Sequence, residues 1–170
     1  DIVTLNEYDS FGRPYSVYRP VPTQTSSGAY ASFASINPEL LKFYNWEVYT
    51  FSKTLYEASP LDRVTEEYGP GSPWHTRGRS VRTSYLVNDG SGLLSCSGYL
   101  VEADTSVTCI GTLSSGNLNV VEVTDEDGNV SLTFTDKLGR KTLERTVDGE
   151  RYQDTYYVYD DLGLLRYVLT

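Results

Sequence analysis

Asp125-Glu126-Asp127-Gly128-Asn129-Val130-Ser131-Leu132-Thr133-Phe134-Thr135-Asp136-Lys137-Leu138-Gly139-Arg140 holds the period from which the rest of the chain is read. Val130, Leu132 and Phe134 alternate with Ser131, Thr133 and Thr135, giving one apolar and one polar face at period 2, which excludes a helix. Turn residues flank the run on both sides. Two more turn signals follow, Asp148-Gly149 and Asp160-Asp161-Leu162-Gly163, so that successive turns begin at 125, 136, 148 and 160, the cadence of consecutive hairpins. An aspartate at the first turn position accepts backbone N–H groups, and a glycine at the fourth supplies positive φ. Residues 125–170 are therefore expected to form an antiparallel meander. Asp125, Asp127 and Asn129 do not make a calcium loop, because Val130 stands where that loop needs glycine and Asp136 where it needs glutamate.

The same unit recurs at the other end as Tyr8-Asp9-Ser10-Phe11-Gly12-Arg13, between Ile2-Val3-Thr4-Leu5 and Tyr15-Ser16-Val17-Tyr18, and residues 1–19 read as a hairpin. Repeats at both termini imply a longer array. The absence of methionine, even at position 1, suggests a processed product or a piece of a longer chain. Residues 20–124 lack the regular cadence and read as a β-rich elaboration of the sheet. They open with a Pro/Ser/Thr-rich loop, Pro20 to Gly28. One short helix is predicted near 38–45, with Asn37 as N-cap, Pro38 in the first turn and Glu39 near the positive dipole end. Strand patterns follow at Val48–Leu55, Val81–Val87 and Leu118–Val123. Gly69-Pro70-Gly71-Ser72-Pro73-Trp74 reads as a rigid, non-helical turn. The expected fold is mainly β: an extended twisted antiparallel sheet of about ten or more strands with one short helix.

A chain of 170 residues can bury a core without disulfides or metals. Fourteen basic against 23 acidic residues leave a net charge of −9, which repels phosphate backbones and anionic lipid. The one dense basic stretch, His75 to Arg82, reads as a solvated loop entering a strand. No run reaches the roughly 18 apolar residues of a membrane span, and the N-terminus lacks the features of a signal peptide. Cys96 and Cys109 lie in strand-like segments and can either pair across a hairpin or remain two unpaired buried thiols. No metal or other cofactor is expected, since the sole histidine, His75, is 21 residues from the nearer cysteine.

The recurring Tyr-Asp-x-x-Gly-Arg pattern is complete at Tyr8, Asp9, Gly12 and Arg13. It is partial at Thr135-Asp136-Lys137-Leu138-Gly139-Arg140 and at Tyr159-Asp160-Asp161-Leu162-Gly163. It resembles the YD repeat of RHS proteins, as does the stretch Thr155 to Leu169 as a whole. The middle segment resembles the uncharacterised domain that precedes the repeats in many bacterial RHS proteins, through Ser59-Pro60-Leu61-Asp62-Arg63-Val64 and Gly69 to Trp74. Thr135 departs from the repeat tyrosine, Leu164 stands where arginine is usual, and Asp125 to Asn129 keeps only the turn. The resemblance implies a large secreted or cell-surface protein whose repeats wind into a hollow β-shell, often around a toxic C-terminal domain. The partners it implies are the remainder of the repeat chain and the enclosed toxin or effector. The family's self-cleaving region and toxin have no counterpart in these residues.

The 15 tyrosines admit two readings. Tyr8, Tyr156, Tyr157 and Tyr159 suit cross-strand pairs, worth about 0.2–1 kcal/mol each, better than a binding platform. Tyr156, Tyr157 and Trp74 are the candidate ligand-facing aromatics should the module bind surface glycans, the alternative function. Glu66 and Glu67, adjacent on a strand, point to opposite faces and cannot flank one glycosidic bond. No serine lies in a nucleophile elbow that would use His75. The expected function is therefore structural and non-catalytic, forming or capping one end of the shell. Lys141, Glu144 and Arg145 are expected to guard an exposed edge against further pairing.

Overall fold

The computed structural model describes residues 1–23, 28, 30–103 and 106–170, so residues 24–27 of the expected Pro20–Gly28 loop lie outside the described set. The fold is mainly β with antiparallel strand pairing, and it divides into two units, 1–82 and 83–170. No described helix is long and apolar enough to cross a membrane.

The first unit contains β1 (Ile2–Val3), β2 (Asn6–Tyr8), β3 (Pro14–Tyr18), β4 (Val21–Pro22), helix α1 (Phe33–Phe43), β5 (Phe51–Tyr56), β6 (Val64–Tyr68) and a five-residue helix α2 (Ser72–Thr76). The next strand, β7 (Val81–Val87), begins here, with Arg82 opposite Glu66. β2, β3, β5 and β6 are neighbours in that order, and β1 pairs separately with β4. The core is Tyr18, Val21, Ile36 and Leu40, with Val3, Leu5 and Phe51 packed against it.

The main helix begins five residues before the expected start at Pro38, and Asn37 lies inside it rather than capping it. The turn Phe33 to Ile36 is already closed by Ile36 N–H donating to Ser32 O at 3.2 Å. Pro38 is exposed and forfeits one backbone donor, at a cost of about 3 kcal/mol. Burial of Ile36 and Leu40, about 1.5–3 kcal/mol each, offsets that cost. The segment Gly69 to Trp74 is likewise not wholly non-helical. Ser72, Pro73 and Trp74 open α2, where a proline in the first turn gives up a donor that has no partner anyway.

The second unit contains the rest of β7, then β8 (Ser97–Val101), β9 (Val107–Thr112), β10 (Asn119–Thr124), β11 (Val130–Thr135), β12 (Lys141–Asp148), β13 (Arg151–Tyr159) and β14 (Leu165–Leu169). Strands β10 to β14 pair in sequence order, the meander expected for 125–170, and β8–β9 is a separate hairpin. Leu132 and Phe134 point into the core with Cys96, Leu118, Val120 and Leu143, while Leu93, Leu94 and Leu113 pack against this face. Cys96 and Cys109 are free thiols. Cys109 sits opposite Tyr99 in the β8–β9 register and is exposed, whereas burial pushes the Cys96 thiol up to about 11.

The expected edge-guarding role of Lys141, Glu144 and Arg145 is wrong. They lie on β12, which pairs on both sides, with β11 and with β13. Lys141 and Glu144 pair with each other at 2.6 Å, and Arg145 is only 4% exposed.

Candidate functional site

One local device recurs throughout the chain. In the turn at Asp9, Oδ1 accepts from Phe11 N–H (2.8 Å) and Arg13 N–H (3.0 Å), Oδ2 accepts from Arg13 Nε (2.7 Å), and Gly12 N–H donates to Asp9 O (3.0 Å). The turn at Asp136 repeats every bond: Leu138 N–H and Arg140 N–H to Oδ1, Arg140 Nε to Oδ2 at 2.7 Å, Gly139 N–H to Asp136 O. The aspartate replaces the backbone partners that a tight reversal takes away, and glycine is needed at the fourth position because φ there is +80° in one turn and +79° in the other.

The two degenerate copies keep the cradle and change only the side chain on Oδ2. At Asp125, Asn129 Nδ2 takes the place of arginine at 2.8 Å. At Asp160, where Leu164 stands in the arginine position, Arg166 reaches back from β14 to Oδ2 at 2.6 Å. Hydrogen bonds therefore hold all four carboxyls below the usual carboxylate value. The leading contribution comes from Asn129 at Asp125 and from Leu164 N–H at Asp160. At Asp9 and Asp136 desolvation is the largest single influence and opposes the shift, and the bonds from Arg13 and Arg140 outweigh it. Asp9, Gly12, Arg13, Asp136, Gly139, Arg140, Asp160 and Gly163 all lie in these hydrogen-bonded turns.

A further copy escaped sequence reading. Glu57 N–H donates to Arg63 O, and the Glu57 carboxylate accepts Arg63 Nε and Nη2, each at 2.7 Å, closing the seven-residue loop 57–63 as an enlarged version of the same turn. The preceding pair register slips at Leu55/Tyr56 as it does at Glu7/Tyr8, Phe134/Thr135 and Val158/Tyr159. At two of these bulges the extra residue is a threonine whose hydroxyl donates back across the ladder, Thr65 to Leu55 O and Thr142 to Phe134 O. Tyrosine completes the arrangement. Tyr56 carries the Arg13 guanidinium on its ring and donates to Pro14 O, and Tyr159 carries Arg140 and donates to Lys141 O. Tyr8 is 57% exposed, so the tyrosine that serves the first turn comes from the next hairpin.

Two polar side chains, Arg145 and Asn88, are buried in the second unit. Arg145 forks onto the Asp154 carboxylate through Nε and Nη2, both at 2.7 Å, and its Nη1 donates to Leu93 O (2.7 Å) and Ser95 O (3.0 Å). Asn88, fully buried, accepts from Leu118 N–H and donates to Ser114 O, each at 2.8 Å. The turn at Asp148-Gly149 places Arg145 opposite Asp154 in register, a signal present in the sequence. Nothing local marks Asn88.

The candidate aromatics are placed as follows. Trp74 is half-buried and lies flat against Gly69, where an added Cβ would meet its indole at 2.4 Å. Tyr156 packs edge-on to Tyr99 at 5.0 Å, and Tyr157 donates to Glu144 while Lys141 covers one ring face at 4.5 Å. Tyr156, Tyr157 and Tyr159, with Tyr99, Leu100, Ile110, Leu113, Asp136 and Arg140, line a cleft of about 260 Å³ in the second unit. The most exposed aromatics among the described residues, Tyr30, Phe11 and Trp46, are in the first unit and are not among the candidate ligand-facing residues.

His75 is not in an open turn. It stacks on Tyr49 at 4.5 Å and on Tyr68 at 5.5 Å, with Nε2 3.3 Å from Phe51 O, and neighbouring Ser72 donates to Glu47. Glu66 accepts from Ser80 and Tyr68, while its neighbour Glu67 is exposed. Among the described residues no three His, Cys, Asp or Glu side chains converge as a metal site would require.

No curated protein and no solved structure matches the chain. The family described as Domain of unknown function (DUF6443) matches residues 1–87, half of the chain, and includes the first acid-cradled turn, the enlarged loop and the His75 helix. The chain belongs to the DUF6443 family.

Proposed function

We propose that the chain is a non-catalytic structural module of RHS/YD-repeat type, part of the β-sheet wall of a large secreted or cell-surface protein. In this reading it forms or caps one end of a shell enclosing a C-terminal toxin or effector domain. The observation that carries the reading is the acid-cradled turn, built with the same bonds at Asp9 in one unit and at Asp136 in the other. A site tuned for one ligand has no reason to repeat its geometry at several separate hairpins, whereas a wall assembled from repeats does. Side-chain chemistry points the same way, because each turn aspartate spends its Oδ1 on backbone N–H groups of its own turn.

Among the described residues β14 pairs only with β13, which in this reading leaves its outward backbone groups for a further strand of the wall. Amide hydrogen exchange of β14 in the 170-residue chain and in the full-length gene product tests the reading. Strong protection of the outward-facing β14 amides in the longer product is expected, and equally fast exchange in both contradicts it.

A second reading, glycan binding, is favoured by the clustering of Tyr99, Tyr156, Tyr157 and Tyr159 at one cleft. It ranks below the first because sugar stacking needs open ring faces, and cations already cover one face of Tyr157 and of Tyr159. Glycan-array binding lost in Tyr156→Ala would establish it.

A further inference from the structure

The arginine of the repeated turn has two environments. In the first unit Arg13 serves two carboxylates: Nε binds Asp9, and Nη1 binds Asp62 Oδ1 at 3.0 Å. Asp62 comes from the enlarged loop of the neighbouring hairpin, where it sits at a φ of +53°. In the second unit Arg140 Nε binds Asp136 in the same way, but the neighbouring hairpin ends in the minimal turn at Asp160, which brings Gly163 rather than a carboxylate up to Arg140 Nη1. Among the described residues neither Nη1 nor Nη2 of Arg140 has a hydrogen-bond partner. The guanidinium is held against the Tyr159 ring, 5.0 Å from its centroid, at a cleft whose apolar walls include Leu100 and Ile110, each about half exposed.

We propose that this cleft binds an acidic peptide segment, an aspartate or glutamate preceded by an apolar residue, with the carboxylate on Arg140 Nη1/Nη2 and the apolar side chain against Leu100, Ile110 and Tyr99. The loop 57–63 shows the chemistry within the same molecule: Leu61-Asp62 delivers a carboxylate to the equivalent arginine even though that arginine already holds its own turn aspartate. A planar guanidinium with two free N–H edges matches a carboxylate bidentately. A cleft of about 260 Å³ accommodates one or two side chains. A neutral sugar satisfies the walls and leaves the fork unpaired.

The chain supplies its own control variant. Asn129 replaces the turn arginine at Asp125 while keeping the bond to Oδ2, so Arg140→Asn retains the turn's own bonds and removes the fork together with its contact on the Tyr159 ring. The probe is acetyl-Pro-Leu-Asp-amide, titrated into isotope-labelled chain and followed by the amide signals of Leu100 and Ile110 and the Arg140 Nε–H signal. Saturable shifts confined to the cleft are expected, at least about tenfold weaker for the Leu-Asn peptide and for Arg140→Asn. They should weaken further as salt is raised. Ile110→Glu, a wall change remote from the turn, should abolish binding with the fold intact. Equal shifts from the Asn peptide, shifts elsewhere on the molecule, or stronger cleft shifts from glucuronate than from the peptide would each overturn the proposal.

Discussion

The two units cover their sheets with different materials. In the first, α1 lays Ile36 and Leu40 on Tyr18 and Val21, and a helix satisfies its own backbone. In the second, the cover is a short 3-10 turn, Gly92–Leu94, with the segment to Cys96 and the β8–β9 hairpin, and this irregular backbone brings carbonyls to the core without partners of its own. Arg145 and Asn88 supply them, at Leu93 O, Ser95 O and Ser114 O. The buried charge is thus explained by the cover it fastens. An irregular cap can be laid on a sheet when a strand contributes a donor long enough to reach it.

Arg145→Met keeps the packing volume, strips the donors and leaves Asp154 without its cation. A loss of about 3–5 kcal/mol by chemical denaturation is expected; a loss below about 1 kcal/mol would remove the fastening role. Alkaline titration separates the two cores next. Tyr18 in the first unit is pushed up to about 12, chiefly by burial, and Cys96 in the second to about 11. With both groups neutral in the fold, the unfolded chain releases its protons first as pH rises. Their contribution is complete below the unfolded values, near 9 for the thiol and 10 for the phenol, and is lost as pH climbs through the folded ones. A fall of roughly 2–3 kcal/mol between about pH 9 and 11 is expected from Cys96, and Cys96→Ala should flatten it.

What the units share gives smaller effects. Asp136→Ala removes the acceptor of two backbone donors and of Arg140, at about 1–2 kcal/mol by analogy with a lost helix cap. The depressed carboxyls of Asp9, Asp125, Asp136 and Asp160 also set the acid limit. The unfolded chain takes up protons before the folded one, so this stability is present above the unfolded value near 3.8 and lost as pH falls through the lower folded values. Asn129→Arg restores the regular repeat residue at an exposed turn and should change stability by less than about 0.5 kcal/mol. A larger gain would mean that asparagine is a damaged copy and not an equivalent one.

The meander was legible because its signals are local: alternation at Val130 to Thr135 and an aspartate and glycine at each reversal act within five residues. The cradle was legible in kind and not in extent. Glu57 and Arg63 carry it across seven residues without glycine, and Arg166 enters from two residues beyond the expected place. Helix α1 was misjudged because proline was read as a start, while the force that sustains the helix through Pro38 is burial of Ile36 and Leu40 against strands distant in sequence. The register of Arg145 with Asp154 follows from the Asp148-Gly149 turn, but its burial depends on which segment covers β12. No neighbouring residue encodes that choice, and the lining of the tyrosine cleft is hidden for the same reason, since β8–β9 supplies one wall of it, Ser97 to Leu100 with Ile110.

Cryo-electron microscopy of the full-length gene product tests the scaffold claim most directly. The account predicts a hollow particle with β10 to β14 running in its wall and a further strand hydrogen-bonded to Leu165–Leu169. A freestanding module with β14 bare to solvent, joined to the rest of the protein by a loose tether, would contradict it.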